Sequence, residues 1–349
     1  MADKKPTVAF IGTGIMGAPI AGHILDAGYP LTVHNRTKSK ADDLVARGAV
    51  WADSPADAVE DADIVFTMVG FPNEVEELYL AGDGLLATSK PGAYLIDLTT
   101  SAPELARDIA EAARVENRFA FDLPVTGGES GAVAGTLTGI AGATERDIAP
   151  VRAVLETFTS RIFCFNGPGK GQAAKLSNQI ALASSMVGMA DSLAFAEQCG
   201  LDLEQTREMI LTGTGKSGAM EQLAPKVLDG DWKPGFMVQH FLKDLRLALS
   251  HAEDRELALP GADTAFTLYD MLEAIGGANL GTQALALLYQ EEGEAVAAGL
   301  DWSMYRPEEH AAHEDGCGCD HHHDGGDHEC GCGHHRDGDH ECCCGHHGE

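Results

Sequence analysis

The chain has 349 residues, of which 44% are hydrophobic, and carries a formal net charge of −30. The length fits roughly two domains around a sizeable core. The acidic balance argues against nucleic acid or an anionic membrane surface as a partner, since both call for a basic footprint.

In chain order, Met1–Pro6 is polar and lacks the basic-then-apolar layout of a signal peptide. Seven of the nine cysteines crowd into residues 317–344, leaving only Cys164 and Cys199 in the body. Sparse body cysteines fit a reducing compartment, so a cytoplasmic protein is expected. No apolar run of roughly 18 residues, the length that spans a bilayer, stands out. Thr7–Ile11 reads as a short apolar strand. It runs directly into G-T-G-I-M-G, which places Gly12, Gly14 and Gly17 in the G-x-G-x-x-G spacing, with an amphipathic helix over Ala18–Ala27. Strand, glycine turn and helix is the context a dinucleotide site needs. The glycines allow the tight turn, the approach of the backbone to a pyrophosphate and close helix packing, and the helix N-terminus favours the anion. Gly12, Thr13, Gly14, Ile15, Met16 and Gly17 are therefore candidate cofactor residues. A glycine turn without nucleotide is the competing reading.

The next strand, Leu31–His34, ends in Asn35-Arg36-Thr37. A site built for NAD usually has an acid there for the ribose diol. An amide and a guanidinium suit a 2′-phosphate, so NADP is preferred over NAD. Arg36 stacking on the adenine, with both cofactors accepted, is the alternative. The alternation continues with a helix at Lys40–Arg47, strand Val50-Trp51, helix Pro55–Glu60 and strand Ile64–Val69. Helix Asn73–Leu80, strand Tyr94–Leu98, a helix from Pro103 and strand Phe119–Leu123 follow. Ligands in such sheets lie beyond the strand C-termini, which marks Met68–Phe71 (Met68 and Val69 foremost) and Thr99-Thr100 as cofactor neighbours or as ordinary strand-end turns and caps. Pro124-Val125-Thr126-Gly127-Gly128 follows its strand with exposed backbone N–H groups. With Thr126, Gly127 and Gly128 these can hold a carboxylate, or form a simple hairpin or bulge. The small-residue stretch Glu129–Gly139 carries no assigned element. Thr138–Gly142 and Arg161–Phe165 read as the last strands, around a helix at Glu145–Phe158.

After the glycine- and proline-rich Asn166–Gly171 the pattern becomes wholly helical. Segments are expected at Gln172–Cys199, Leu203–Thr212, Ala219–Asp229, Val238–Arg255, Gly261–Ile275 and Thr282–Ala298. The first is long, apolar and rich in small residues, so it should be buried by neighbouring helices or by a second subunit. A homodimer or homotetramer is expected. It also sets Lys175 and Asn178 three residues apart on one face. A lysine and a carboxamide presented together can protonate and orient one carbonyl oxygen, although most helical lysines only decorate a solvated face.

Four blocks give the chain its resemblance to the β-hydroxyacid dehydrogenase family: F-I-G-T-G-I-M-G-A-P-I-A at 10–21, D-L-P-V-T-G-G at 122–128, G-x-x-x-K-x-x-N at 171–178 and F-L-K-D-L-R-L-A at 241–248. It covers residues 7 to about 302. The resemblance implies a small β-hydroxy acid and its semialdehyde as substrate pair, of the 3-hydroxyisobutyrate or tartronate semialdehyde (2-hydroxy-3-oxopropionate) kind. It implies Lys175 as catalytic lysine, Asn178 as substrate-orienting residue and Thr126-Gly127-Gly128 as carboxylate loop, where the family usually has Ser for Thr126. Lys243 matches a lysine near nicotinamide and substrate, Asp244 follows it as in the family, and Thr100 matches a cofactor contact. Met68-Val69-Gly70 departs from the family's frequent Met-Leu-Pro.

Residues 303–349 lie outside the resemblance and hold 11 of the 15 histidines. C-x-C units at Cys317/Cys319, Cys330/Cys332 and Cys342/Cys343/Cys344 precede His321, His322, His323, His334, His335, His346 and His347. With hardly an apolar residue after Ala312 this tail cannot bury a core and is expected to be disordered without a ligand. Thiolate and imidazole at this density suit Zn, Ni or Cu. An inert extension or an engineered tag is the plain reading.

The expected fold class is thus α/β: a Rossmann-type doubly wound sheet over 1–166, an all-helical substrate and dimerisation domain over 167–302, and a Cys/His-rich metal-binding tail over 303–349. The expected function is NAD(P)-dependent interconversion of a small β-hydroxy acid and its semialdehyde. A metal-storage or metal-delivery protein, with the enzyme body as carrier, is the alternative.

Overall fold

Short strands that are apolar on both sides dictate the architecture. In the computed structural model, which describes residues 5–290 and 292–305, every residue of β1 (Val8–Ile11) and β4 (Ile64–Thr67) is buried. Such strands need cover on both faces, as a central parallel sheet provides. With β2 (Leu31–His34), β3 (Val50–Trp51), β5 (Tyr94–Asp97) and β6 (Phe119–Asp122) they form a six-stranded sheet in the order β3-β2-β1-β4-β5-β6, every pair parallel. The direction of winding reverses between β1 and β4. The C-terminal ends of these two strands therefore open a crevice, the usual ligand position of a doubly wound sheet.

The next strands do not extend that sheet. β7 (Val125–Thr126), β8 (Leu137–Ala141) and β9 (Thr159–Cys164) make a second, three-stranded one, with β7 antiparallel and β9 parallel to β8. Pro124 lacks the N–H to continue the β6 ladder, and the chain turns away. The unassigned stretch after Thr126 holds a helix, Gly128–Ala134. The helix expected over Glu145–Phe158 is two pieces, Glu145–Ile148 and Arg152–Leu155, interrupted around Pro150. Ala219–Asp229 is likewise divided, into Gly218–Gln222 and Ala224–Leu228, with Pro225 in the first turn of the second piece. The last expected helix is a 3-10 turn series at Thr282–Tyr289 followed by Glu292–Ala297.

The helical half is built on Lys170–Gln198, 29 residues and about 44 Å long. It packs on Val238–Glu253, Pro260–Ala274 and Thr282–Tyr289 over a core that includes Met186, Met189, Leu193, Phe241, Leu245 and Tyr269. By length and composition this helix is apolar enough to cross a bilayer, contrary to the expectation that no such run exists. It packs against three neighbouring elements, yet only 39% of its apolar window is buried, so it is the central helix of this half without being buried along most of its length as its composition suggested. The change of architecture near residue 167 is not a break in packing, because residues up to Tyr305 form one compact unit.

Candidate active site

One cleft of about 2120 Å³ runs along the C-terminal ends of β1 and β4 to the long helix. Its first wall is the glycine turn. Gly12 has φ +99°, and a Cβ there would stand 2.1 Å from the Met68 carbonyl oxygen. A Cβ on Gly17 would stand 1.9 Å from the Gly12 oxygen, so both positions accept only glycine. A Cβ on Gly14, by contrast, meets nothing within 4 Å, which leaves backbone open to the cleft. The helix behind it, Gly17–Asp26, has no side-chain cap and no acid in its first turn. Thr13 is buried, and its Oγ1 has no hydrogen-bond partner among the described residues. Uncapped N–H groups with room in front of them fit a pyrophosphate. Ile15 and Met16 border the same cleft.

Asn35 is a brace: its Oδ1 accepts from the Thr13 N–H at 3.0 Å and its Nδ2 donates to the Thr37 carbonyl at 2.9 Å. Arg36 is an exposed cation at this end, paired with a carboxylate. Its side chain is 90% exposed and reaches Glu74 Oε1 at 3.1 Å. Met68, Val69 and Thr100 border the cleft where the sheet faces the helical half.

Lys175 and Asn178 share the cleft face of the long helix, as their spacing predicts. Lys175 is only 8% exposed, and among the described residues its ammonium has no hydrogen-bond or ion-pair partner. Burial pulls it from 10.5 down to about 8; Asp244 opposes the fall and Lys243 adds to it. Lys243 donates to the Thr100 carbonyl at 2.6 Å and stands 2.9 Å from Asp244 Oδ1, too bent for a hydrogen bond. Asp244 Oδ2 accepts from Gln179 Nε2 at 2.7 Å, and Gln179 Oε1 accepts from Asn178 Nδ2 at 2.9 Å. The result is a relay of fixed dipoles with one uncommitted cation in the middle.

Three residues that motif reading did not single out hold this arrangement. Gln172, fully buried one turn before Lys175, donates to the Thr99 carbonyl at 2.8 Å and accepts from the Ser101 N–H at 2.9 Å. It ties the long helix to the loop that carries Thr100. Asp122, at the end of β6, accepts from the N–H groups of Gly169 and Gln172 at 2.8 and 2.7 Å. A carboxylate at the helix N-terminus complements its dipole, although burial raises the Asp122 pKa. Asp97 accepts from the Thr99 N–H and from Thr67 Oγ1, and burial pushes it up to about 6. The sequence signal for Asp122 and Gln172 was their place inside the recognised blocks; nothing local says which of their atoms matter.

Thr126, Gly127 and Gly128 border the cleft as expected, at the start of the helix Gly128–Ala134. Gly127 and Gly128 have φ of +129° and +64°, and a Cβ on Gly128 would meet nothing within 4 Å. Exposed N–H groups at such a turn can receive an anion. The candidate metal ligands Cys317, Cys319, His321, His322, His323, Cys330, Cys332, His334, His335, Cys342, Cys343, Cys344, His346 and His347 lie outside the described residues. Among the described residues no cluster of three His, Cys, Asp or Glu is placed to hold a metal.

Comparison with known proteins matches this geometry. The family model described as the NAD binding domain of 6-phosphogluconate dehydrogenase covers residues 7–167. The one described as the NAD-binding domain of NADP-dependent 3-hydroxyisobutyrate dehydrogenase covers residues 169–289. An oxidoreductase of Bacillus subtilis strain 168 is 43% identical over 82% of this chain and 99% of its own length. A probable mitochondrial 3-hydroxyisobutyrate dehydrogenase-like protein of Arabidopsis thaliana is 42% identical over 82% of this chain and 86% of its own. The solved structure of Mycobacterium tuberculosis 3-hydroxyisobutyrate dehydrogenase with L-serine superposes with a TM-score of 0.75 at 29% identity, over 82% of this chain and all of that one. The chain belongs to the β-hydroxyacid dehydrogenase family and is an NAD(P)-dependent hydroxyacid dehydrogenase.

Proposed function

We propose that the chain is an NADP-preferring enzyme for a short β-hydroxy acid and its semialdehyde, of the 3-hydroxyisobutyrate or tartronate semialdehyde kind, with Lys175 as general acid and base. The observation that carries this is the buried, uncommitted Lys175 ammonium on the cleft beside the Lys243–Asp244 pair. The nicotinamide, when bound, delivers or receives the hydride. In reduction the Lys175 ammonium donates a proton to the carbonyl oxygen; in oxidation the neutral amine takes the hydroxyl proton. With its pKa near 8, roughly a quarter of Lys175 is neutral at pH 7.5, so both forms are available. Asn178, one turn on, orients the same oxygen. Thr126, Gly127 and Gly128 receive the substrate carboxylate. Lys243, anchored on Thr100 and Asp244, flanks nicotinamide and substrate.

The exposed Arg36 guanidinium supports NADP over NAD, because no acid stands at the end of β2 to receive a ribose diol. Association into a homodimer or homotetramer is supported by the exposed apolar Phe195, Leu201 and Met209 at and beyond the end of the long helix. A spectrophotometric panel tests the activity: NADPH and NADH oxidation with tartronate, methylmalonate and succinate semialdehydes and with glyoxylate. Turnover of a three- or four-carbon semialdehyde, faster with NADPH, is expected. No turnover of any of them would overturn the reading.

A further inference from the structure

Gly70 stands where the family often has proline, and the structure shows what fills the space. A Cβ on Gly70 would lie 3.3 Å from His240 Cε1 and 3.0 Å from Glu74 Oε2. A proline would in addition remove the N–H that Gly70 donates to Glu74 Oε2 at 2.8 Å. His240 belongs to the helix Val238–Glu253, one turn before Lys243, and its ring lies 5.2 Å from that of Phe71, centroid to centroid. It is half-buried and borders the cleft, and among the described residues its ring nitrogens have no hydrogen-bond partner. The charged groups around it are Lys243 and Asp244 on its own helix and Glu74 opposite. Burial, reinforced by Lys243, lowers its pKa below 6.5, so near neutral pH the ring has one donor and one acceptor nitrogen.

A dinucleotide seated on the Gly12–Gly17 turn, with its reactive ring near Lys175, must pass the β4 end. That end abuts Gly12 through the Met68 carbonyl. His240 faces this passage from the helical half. We infer that His240 is a cofactor-binding residue: its imidazole hydrogen-bonds a hydroxyl of the nicotinamide-side ribose, and Gly70 clears the space that lets the ring do so. The inference rests on the placement of the reactive ring at Lys175 proposed above.

The test compares wild type, His240→Phe and His240→Asn as full-length protein. His240→Phe keeps the ring against Phe71 and removes both nitrogens; His240→Asn keeps a hydrogen-bonding group. Dissociation constants are measured by fluorescence titration for the dinucleotide that wild type binds tighter, NADPH or NADH, and for its adenosine fragment, 2′,5′-ADP or ADP. His240→Phe should raise the dinucleotide Kd about 5–10-fold, leave the fragment Kd within about twofold, and be partly rescued by His240→Asn. An unchanged dinucleotide Kd, or an equal loss for the fragment, would overturn the assignment. If His240→Phe does not fold, His240→Leu removes both ring nitrogens with a smaller side chain. It should show the same selective loss, and its absence overturns the inference equally. These constants do not depend on turnover, so a failure of Lys175 as acid and base would show separately, in the kinetics.

Discussion

Replacing Lys175 by methionine should cost activity and add stability. The ammonium is held in a site that lowers its pKa from 10.5 to about 8, and the first cause is burial. A shift of about 2.5 units corresponds to about 3 kcal/mol by which the folded state disfavours the charged form. Methionine has a similar length, fills the same space and carries no charge. Below pH 8 the lysine is charged in both folded and unfolded chains, so the full penalty applies there. Above about 10.5 it is neutral in both, and the penalty is gone. Lys175→Met should therefore unfold later than wild type by up to about 3 kcal/mol at pH 6–7, and the advantage should shrink as pH rises from 8 to 10.5. Urea unfolding at pH 6.5, 8.5 and 10 reads this directly. Turnover should fall by about 10²–10⁴-fold or more, with cofactor affinity retained. A variant no more stable than wild type at pH 6.5, or a gain that does not change with pH, would refute the electrostatic reasoning. Such a trade of stability for a reactive group is common at active sites.

Other consequences follow from the same geometry. Gln172→Leu leaves the Thr99 carbonyl and the Ser101 N–H buried without partners, so it should lose about 2–4 kcal/mol in urea unfolding and loosen the loop that carries Thr100. A loss below about 1 kcal/mol would mean that the clamp is not closed in solution. Arg36→Ala should reduce the ratio of kcat/KM for NADPH to that for NADH by about 10–100-fold, the worth of a charge-assisted contact. A ratio within threefold of wild type would return Arg36 to adenine stacking. Ending the chain after Tyr305 removes every candidate metal ligand of the tail and none of the cleft. Steady-state kinetics should be unchanged, and a large drop would tie the tail to the chemistry.

Much of this fold was legible because its signals are local. β1 and β4 announce themselves as unbroken apolar runs, and the glycine turn by a spacing that sterics enforce at Gly12 and Gly17. Lys175 and Asn178 were readable as a pair because helical geometry alone puts them on one face. What escaped depends on partners distant in sequence. The pairing of β7 with β8 joins residues on either side of the helix Gly128–Ala134, a helix made largely of glycine and alanine with no hydrophobic stripe to betray it. Gln172 reaches back 73 residues to Thr99, and Asp122 reaches forward 50 to the backbone of Gln172. No periodicity records such contacts. The helix breaks near Pro150 and Pro225 were visible in principle and follow from the missing N–H.

The central claim, that Lys175 moves the proton, is tested most directly by pH profiles of kcat/KM in both directions on the substrate pair turned over fastest. Oxidation of the hydroxy acid needs the neutral amine and should rise through an inflection near pH 8. Reduction of the semialdehyde needs the ammonium and should fall through the same inflection. Both inflections should be absent from the residual activity of Lys175→Ala. Profiles flat between about pH 6 and 10, or a Lys175→Ala variant that turns over at a near-wild-type rate, would contradict the account.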